Sequence, residues 1–299
     1  MFLCHGFTTV FDLSSHPRNT PALISRIDSG ELRGPLILSA GSGLRPWNGV
    51  PFYVKGSVPW YLRWMMPGPA TALGARLTVA MQARAGARLT KLFTGSYVTP
   101  SRVKPMLLRI ARAAEGAGIA MVAVHGRTRE QGYQGHAEYE TVAAVKRALS
   151  IPVVANGDID SPAKAKAVFD ATGADAIMIG RAAQGRPWIF GEIAHFLATG
   201  KLAPPPRVAD VKQWLLEHLD DHYGLYGEYA GVRTARKHIG WTLRGLPGGE
   251  DFRAEMNIFE SCEQQAREVG AWFDRLADVM PFMPAPPAPH AEARAAALH

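Results

Sequence analysis

Three short apolar segments, each ending in a polar motif, dominate the chain: MVAVHGRT at residues 121–128, PVVANGD at 152–158 and AIMIGR at 176–181. Each begins with an apolar run containing β-branched residues and is closed by glycine and polar side chains, which is typical of a buried parallel strand. The interval is 31 residues from His125 to Asn156 and 24 from Asn156 to Gly180, enough for one strand, one helix and two loops. The carboxyl ends of such strands meet at one edge of the sheet, where α/β proteins place their chemistry.

Length and composition indicate a globular protein with room for one large α/β domain and a small second one. The chain has 299 residues, of which 47% are hydrophobic and 20% are charged. Two cysteines, Cys4 and Cys262, cannot form a disulfide framework or a four-cysteine metal site. We therefore expect a cytoplasmic protein without a metal site.

The apolar stretches at the start of the chain do not match targeting or membrane segments. Residues 1–11 lack the basic flank and the long apolar core of a signal peptide. Proline, glycine and arginine interrupt the apolar stretch at residues 58–81. We therefore predict neither a signal peptide nor a membrane span.

The net charge of +7 arises in the first third of the chain. Residues 1–106 contain twelve Lys and Arg but only three acidic residues, Asp12, Asp28 and Glu31. One interpretation is that this region attracts nucleic acid. The other is that its composition is unusual for a reason unrelated to binding.

The periodicity of the sequence changes near residue 106. Residues 1–106 show no sustained helical or strand period, whereas four amphipathic helices are predicted after them, at 107–117, 137–149, 161–171 and 187–198. The proline-rich segment at 203–206 reads as a linker, and only helices are predicted beyond it, at 208–223, 227–244 and 252–276. We predict four parts: an atypical segment 1–106, an α/β part 107–202, a helical domain 207–279 and a disordered tail 280–299.

The motifs after the second and third strands suit a phosphate-bearing ligand. Asn156-Gly157-Asp158 offers polar groups around a glycine that allows close approach, and Gly180-Arg181 offers backbone N–H groups and a forked cation. Asp158 can instead cap a turn, and Arg181 can be a surface ion-pair partner. Two such motifs on adjacent strands favour the ligand site.

His125 and Arg127 follow the first of the three strands. A single histidine at a strand end is more often structural than functional. The arginines beside it permit a second interpretation, in which this corner faces a polyanion or a flavin.

A basic stripe is predicted on one helix of the C-terminal domain. Its residues recur every three to four positions: Arg233, Arg236, Lys237, Trp241 and Arg244. Cations beside an aromatic ring suit RNA, although a solvated basic face explains the spacing equally well.

Together these residues resemble the tRNA-dihydrouridine synthases, in particular the bacterial B-type. The matching blocks are VHGRTR at 124–129, IPVVANGDI at 151–159 and MIGRAAQGRPW at 178–188, followed by ARKH at 235–238 with Trp241. The similarity runs from about residue 107 to 276, and the N-terminal third does not match.

The resemblance implies a (β/α)8 TIM barrel that binds FMN, with an atypical N-terminal half, followed by a helical tRNA-binding domain. It implies reduction of a tRNA uridine to 5,6-dihydrouridine, with NADPH or NADH reducing the flavin, by a monomeric enzyme. The three strands would be the sixth, seventh and eighth of the barrel. The motifs carry over to an FMN-binding set: His125, Asn156, Gly157, Asp158, Gly180 and Arg181. Arg127, Arg236, Lys237 and His238 would lie toward the RNA.

The family's catalytic cysteine, in an Asn-x-Gly-Cys-Pro loop, has no counterpart in this sequence. Such a group protonates C5 of the uracil, so we assign no catalytic residue and expect proton transfer to be impaired. Lys91 is the nearest candidate for the family's flavin-binding lysine. Our hypothesis is that a reading-frame disruption, or a replaced segment, precedes residue 106.

Two other functions compete with the synthase. One is a non-catalytic remnant that binds tRNA through its helical domain. The other is an FMN-binding or phosphate-binding barrel that acts on a small metabolite. The proline-rich linker and the basic helix argue against this function, because a small substrate requires neither.

Overall fold

The computed structural model describes residues 9–12, 19–32, 34–40, 72–88, 108–109, 111–116, 118–127 and 135–284. These residues form two compact units. The sheet unit contains the described residues up to 159 together with 165–179, and the helical unit contains 160–164 and 180–284. Cys4, Lys91 and the predicted tail beyond residue 284 lie outside the described residues.

The N-terminal part of the sheet unit is a two-stranded parallel sheet with two helices. The elements are β1 (Thr9–Asp12), α1 (Asn19–Asp28), β2 (Leu36–Ser39) and α2 (Ala72–Arg84). β1 pairs with β2 in parallel, and Thr20 at the start of α1 donates a hydrogen bond to Asp12. This part of the chain is therefore structured in the described ranges, although its sequence shows no sustained period.

The second half of the sheet unit is a three-stranded parallel sheet. Its elements are β3 (Val122–His125), α3 (Glu140–Ala148), β4 (Val153–Asn156), α4 (Pro162–Thr172) and β5 (Ala176–Met178), and the strand order is β3-β4-β5. Val153, Val154 and Ala155 are fully buried, as expected for a central parallel strand. The predicted βα order, with polar motifs at the strand ends, is confirmed.

The predicted start of α4 is also confirmed. Pro162 occupies the first helical position, and the Ser161 hydroxyl accepts a hydrogen bond from the backbone N–H of Lys164 at 3.3 Å. Serine caps this end because its oxygen satisfies an N–H that has no partner within the helix.

The helical unit contains four helices after a short 3-10 turn at Arg181–Ala183. They are α5 (Ile189–Thr199), α6 (Val208–Leu243), α7 (Gly249–Met256) and α8 (Cys262–Val279). The prediction of one helix over 252–276 is wrong, because the chain leaves helical geometry between Met256 and Cys262. Ser261 starts α8 by accepting the N–H of Gln264 at 3.1 Å.

α6 is two antiparallel helices joined at Gly227, whose φ of 69° and ψ of 175° interrupt the helix. Contacts between the two halves show that they run antiparallel, because earlier residues of the first half meet later residues of the second. His222 hydrogen-bonds Thr234 at 2.7 Å, and the His218 ring lies 4.9 Å from that of His238. α8 joins this hairpin through buried Gln265, which accepts from Tyr223 Oη at 2.7 Å and donates to Val232 O at 3.3 Å. The largest fully buried side chains of the unit include Leu219, Ile239, Leu243, Met256 and Phe273.

The two ends of the helical bundle meet. Arg207 and Phe282 form an antiparallel bridge, and the N–H of Val208 donates to Pro281 O at 3.0 Å. Met283 is buried in the same core. The described residues after 279, which the sequence predicts to be the start of the tail, therefore pack against the start of the bundle.

None of the helices that the structure describes combines the length and the apolar character needed to cross a bilayer.

Candidate functional site

Polar residues at the ends of β3 and β4 form a compact group, here called the strand-end cluster: His125, Arg127, Asn156, Gly157 and Asp158. The parallel register places His125 opposite Asn156, and Nδ1 of His125 lies 3.2 Å from Asn156 O. Nδ2 of Asn156 donates to Met178 O in β5 at 2.7 Å. One amide side chain thus fixes the end of the neighbouring strand, and the imidazole of His125 remains exposed.

The strand-end cluster contains a buried ion pair between Arg127 and Asp158. Nη2 of Arg127 lies 2.7 Å from Asp158 Oδ2, and the two side chains are 5% and 21% exposed. The same guanidinium donates to Gly135 O, and Asp158 Oδ2 also accepts the N–H of Ala137 at 2.8 Å. Within the described part of the chain, Nε and Nη1 of Arg127 are buried without a hydrogen-bond partner. Arg127, predicted to lie toward RNA, therefore turns into the cluster.

The segment 135–139 closes over the strand ends, and this contact was not predicted from the sequence. The N–H of Glu138 donates to Gly126 O at 2.7 Å, and the hydroxyl of Tyr139 donates to Gly157 O at 2.7 Å. Gly157 has a φ of 132°, and a Cβ there would lie 2.8 Å from that of Ala137. Glycine is therefore required at position 157, because the segment 135–139 leaves no room there for a side chain.

Gly180 and Arg181 belong to the helical unit. Gly180 precedes the 3-10 turn, and a Cβ built there meets nothing within 4 Å. The Arg181 side chain is exposed. Further along, Arg186 forms an ion pair with Glu192, a carboxyl whose pKa is raised by burial and lowered in part by Arg186.

The predicted RNA-facing residues of α6 differ in exposure. Lys237 is exposed, with its ammonium 6.0 Å from the ring centre of Trp241. Arg236 is half-buried and donates to Phe259 O at 3.0 Å, which ties α6 to the segment before α8. Arg233, from the same predicted stripe, is exposed and lies over the Tyr229 ring at 3.8 Å.

His238 belongs to a cluster of three histidines, with His218 and His222, that sequence reasoning missed. Burial, together with the neighbouring His218, Lys237 and His222, lowers the pKa of His238 to about 4. Burial also lowers the pKa of His218 and of His222. The spacing of four residues between His218 and His222 could have indicated part of this cluster, because it places both side chains on one helix face.

The sequence model of the dihydrouridine synthase family (Dus) matches residues 103–277. This range includes the strand-end cluster, the Gly180-Arg181 motif and α6 to α8 up to residue 277.

Individual relatives match the same part of the chain. tRNA-dihydrouridine synthase B of Xanthomonas axonopodis pv. citri (strain 306) is 59% identical over 167 residues, covering 56% of this chain and 50% of its own length. The enzyme of the same name from Pseudomonas putida is 55% identical over 166 residues, covering 56% and 49%. The chain thus spans about half the length of the curated relatives it matches.

A likeness to solved structures is much weaker. A Xaa-Pro dipeptidase with methionine bound in its active site aligns over 94% of this chain and 67% of its own, at 14% identity and a TM-score of 0.38. That score is too low to indicate a shared fold. The family's sequence model, in contrast, spans more than half of the chain, and this protein therefore belongs to the dihydrouridine synthase family.

Proposed function

We propose that this chain takes part in the FMN-dependent reduction of uridine to 5,6-dihydrouridine in tRNA, with NADPH or NADH as the reductant. The observation that carries the proposal is the family match, which runs from the parallel strands through the helical unit. Because the chain spans about half the length of its relatives, its activity, substrate and partner are inferences from family membership. We propose that it acts as a monomer in the cytoplasm, where tRNA is found.

The three parallel strands are interpreted as the sixth to eighth strands of a (β/α)8 barrel. This interpretation rests on the parallel strand order β3-β4-β5 and on the helix that follows each of β3 and β4. In such barrels the ligand site is at the carboxyl ends of the strands, and the last two loops commonly hold a phosphate.

The residues at the strand ends fit an FMN group. His125 and Ala123 are exposed on the face of β3 opposite buried Val122 and Val124, so this face can receive a planar ring. Exposed Arg181, beside an open Gly180, offers the cation and backbone donors that a phosphate requires. When bound, FMN would supply the hydride for the C5–C6 bond, and His125, Asn156, Gly157 and Asp158 would hold it. Gly180 and Arg181 are proposed for its phosphate from the family motif alone.

The ion pair between Arg127 and Asp158 would act by positioning. It holds the segment 135–139 over Gly157 and fixes the backbone that follows β4. A backbone fixed in this way is preorganised, so little ordering cost remains when a ligand binds.

Proton transfer to C5 of the uracil is the step for which the sequence lacks the family's Asn-x-Gly-Cys-Pro loop. Cys262 is the first residue of α8, and burial and the nearby Glu228 raise the pKa of its thiol. We therefore assign no catalytic residue and infer slow turnover, because a general acid typically contributes about 10²–10⁴ in rate.

The basic face of α6 is proposed to contact the tRNA backbone through Lys237, with Arg236 and His238 behind it. Arg127 is buried in the ion pair with Asp158 and is not part of this surface. Exposed Lys237 and Arg233, each beside an aromatic ring, combine phosphate neutralisation with a surface for stacking. Half-buried Arg236 supports this surface by its bond to Phe259 O.

Flavin binding is the first test. The purified chain is titrated with FMN and followed by its visible spectrum and by quenching of flavin fluorescence, together with Arg181→Ala and, as a control on an exposed helical pair, Lys166→Ala. We expect saturable binding that Arg181→Ala weakens and Lys166→Ala leaves unchanged. Absence of saturable binding to the unaltered chain would exclude an FMN enzyme and leave the tRNA-binding remnant.

The second test measures tRNA binding as a function of salt. Lys237→Ala should weaken binding and reduce the slope of log K against log salt by about one. The matched control is Lys201→Ala, an exposed lysine that follows α5. Equal effects of the two substitutions would reject α6 as the specific contact surface.

A further inference from the structure

We propose that His218, His222 and His238 form a binding site for a divalent transition metal ion, with zinc as the favoured ion. Each side chain offers one nitrogen, and these three atoms lie within 4.8 Å of one another. The proposal is independent of the flavin and of the proposed reaction.

The fold of α6 brings the three histidines together. His218 and His222 are four residues apart on the first half of the helix, so they project from one face. The reversal at Gly227 returns the chain antiparallel, and His238 reaches the same face from the second half, with its ring centre 4.9 Å from that of His218 and 5.4 Å from that of His222. Two histidines on one helix turn plus a third from a neighbouring helix make a three-nitrogen site with one open position.

Thr234 lies against the His222 ring. Its hydroxyl donates to Ala230 O at 2.6 Å and lies 2.7 Å from Nε2 of His222, and the backbone of Gly231 also accepts from this imidazole. In the tautomer with the proton on Nε2, the imidazole donates to the hydroxyl and Nδ1 is the nitrogen available to a metal ion. A ligand imidazole whose other N–H is bound to an oxygen is typical of metal sites, because that bond sets the tautomer and orients the ring.

Neighbouring charges act on the site in both directions. The ammonium of Lys237 is close enough to lower the pKa of His222 and His238, and it disfavours a cation. The carboxylate of Asp221 acts in the opposite direction: it raises the pKa of His218 and favours a cation. Imidazole ligands favour zinc, copper and nickel over magnesium or calcium, which prefer oxygen. At a metal–nitrogen distance of about 2.0–2.1 Å the three nitrogens must close by small side-chain rotations.

An ion held here would link the two halves of α6 across Gly227. A ligand that binds the folded hairpin and not the unfolded chain raises the melting temperature as its concentration rises. Binding would thus stabilise the helix that carries Lys237.

The test uses the full chain, stripped with a chelator and then titrated with Zn²⁺ and with Co²⁺. We expect one equivalent of each ion, a Co²⁺ visible spectrum of low-coordinate nitrogen ligation, and an upward shift in melting temperature. His238→Ala should weaken binding at least about tenfold, and Thr234→Val, which keeps all three ligands, by about 10–100-fold. His195→Ala, an exposed histidine on α5, should change nothing.

Two results would overturn the proposal. One is a stripped, folded wild-type chain that gives no Co²⁺ spectrum and takes up no Zn²⁺. The other is Zn²⁺ uptake that His238→Ala and His195→Ala reduce equally, which would indicate surface histidines acting singly. The wild-type spectrum decides the matter even if His238→Ala fails to fold.

Discussion

At the residue scale, the strand-end cluster depends on charges that are buried and paired. Arg127 is 5% exposed and has Asp158 as its ionic partner. Removing water from two charges is costly, and their attraction offsets this cost only while both partners are present. Loss of either one leaves an uncompensated charge beside Gly157.

Arg127→Ala should destabilise the sheet unit by roughly 3 kcal/mol, because it leaves the carboxylate of Asp158 without its ionic partner. Lys166→Ala is the control, since it removes one partner of an exposed pair with Asp170 and should cost under about 0.5 kcal/mol. Urea unfolding followed by circular dichroism and by hydrogen exchange of the N–H of Ala137 measures both. Equal costs would mean that the buried pair contributes no more than a surface pair.

Part of this cluster was predictable from the sequence. The strand-to-strand period placed His125 and Asn156 together, and the register confirms that they lie opposite each other. The partner of Arg127 was not predictable, because it depends on the fold of the segment 135–139 over Gly157. That segment has no regular period, and apart from the Tyr139 hydroxyl its contacts with the strand ends are made by backbone groups that every residue possesses.

At the element scale, α6 is the element whose geometry matters most. The sequence predicted two helices on either side of residues 224–226, and the structure places the reversal at Gly227. The break between α7 and α8 was missed, because the apolar spacing continues through Ile258 and Phe259. The capping signal of Ser261 was present in the sequence and marks the true start of α8.

Two glycine substitutions in α6 should have opposite effects on stability. Gly227→Ala places a side chain at a φ of 69° and a ψ of 175°, a region that essentially only glycine adopts, and should cost about 1–3 kcal/mol. Gly224→Ala lies three residues earlier in regular helix with nothing within 4 Å of the new Cβ, and it should gain up to about 1 kcal/mol. Thermal unfolding of the two variants measures the difference. A stabilising Gly227→Ala would show that α6 continues unbroken.

At the scale of the whole molecule, the family match covers residues 103–277 and the chain spans about half the length of its relatives. Residues 1–106 carry the charge excess and lack the Asn-x-Gly-Cys-Pro loop. If a reading-frame disruption explains this segment, the nucleotide sequence that encodes it contains the loop in another frame. A sequence without the loop in any frame would reject the disruption and favour a replaced segment.

The most direct measurement is dihydrouridine formation in an unmodified tRNA transcript, incubated with the purified chain, FMN and NADPH and quantified by mass spectrometry. The proposed function predicts product that requires both cofactors and accumulates about 10²–10⁴ times more slowly than with a relative that has the cysteine loop. Product formation independent of FMN, or no product under conditions in which the relative reacts to completion and the slow rate would be detected, would contradict it.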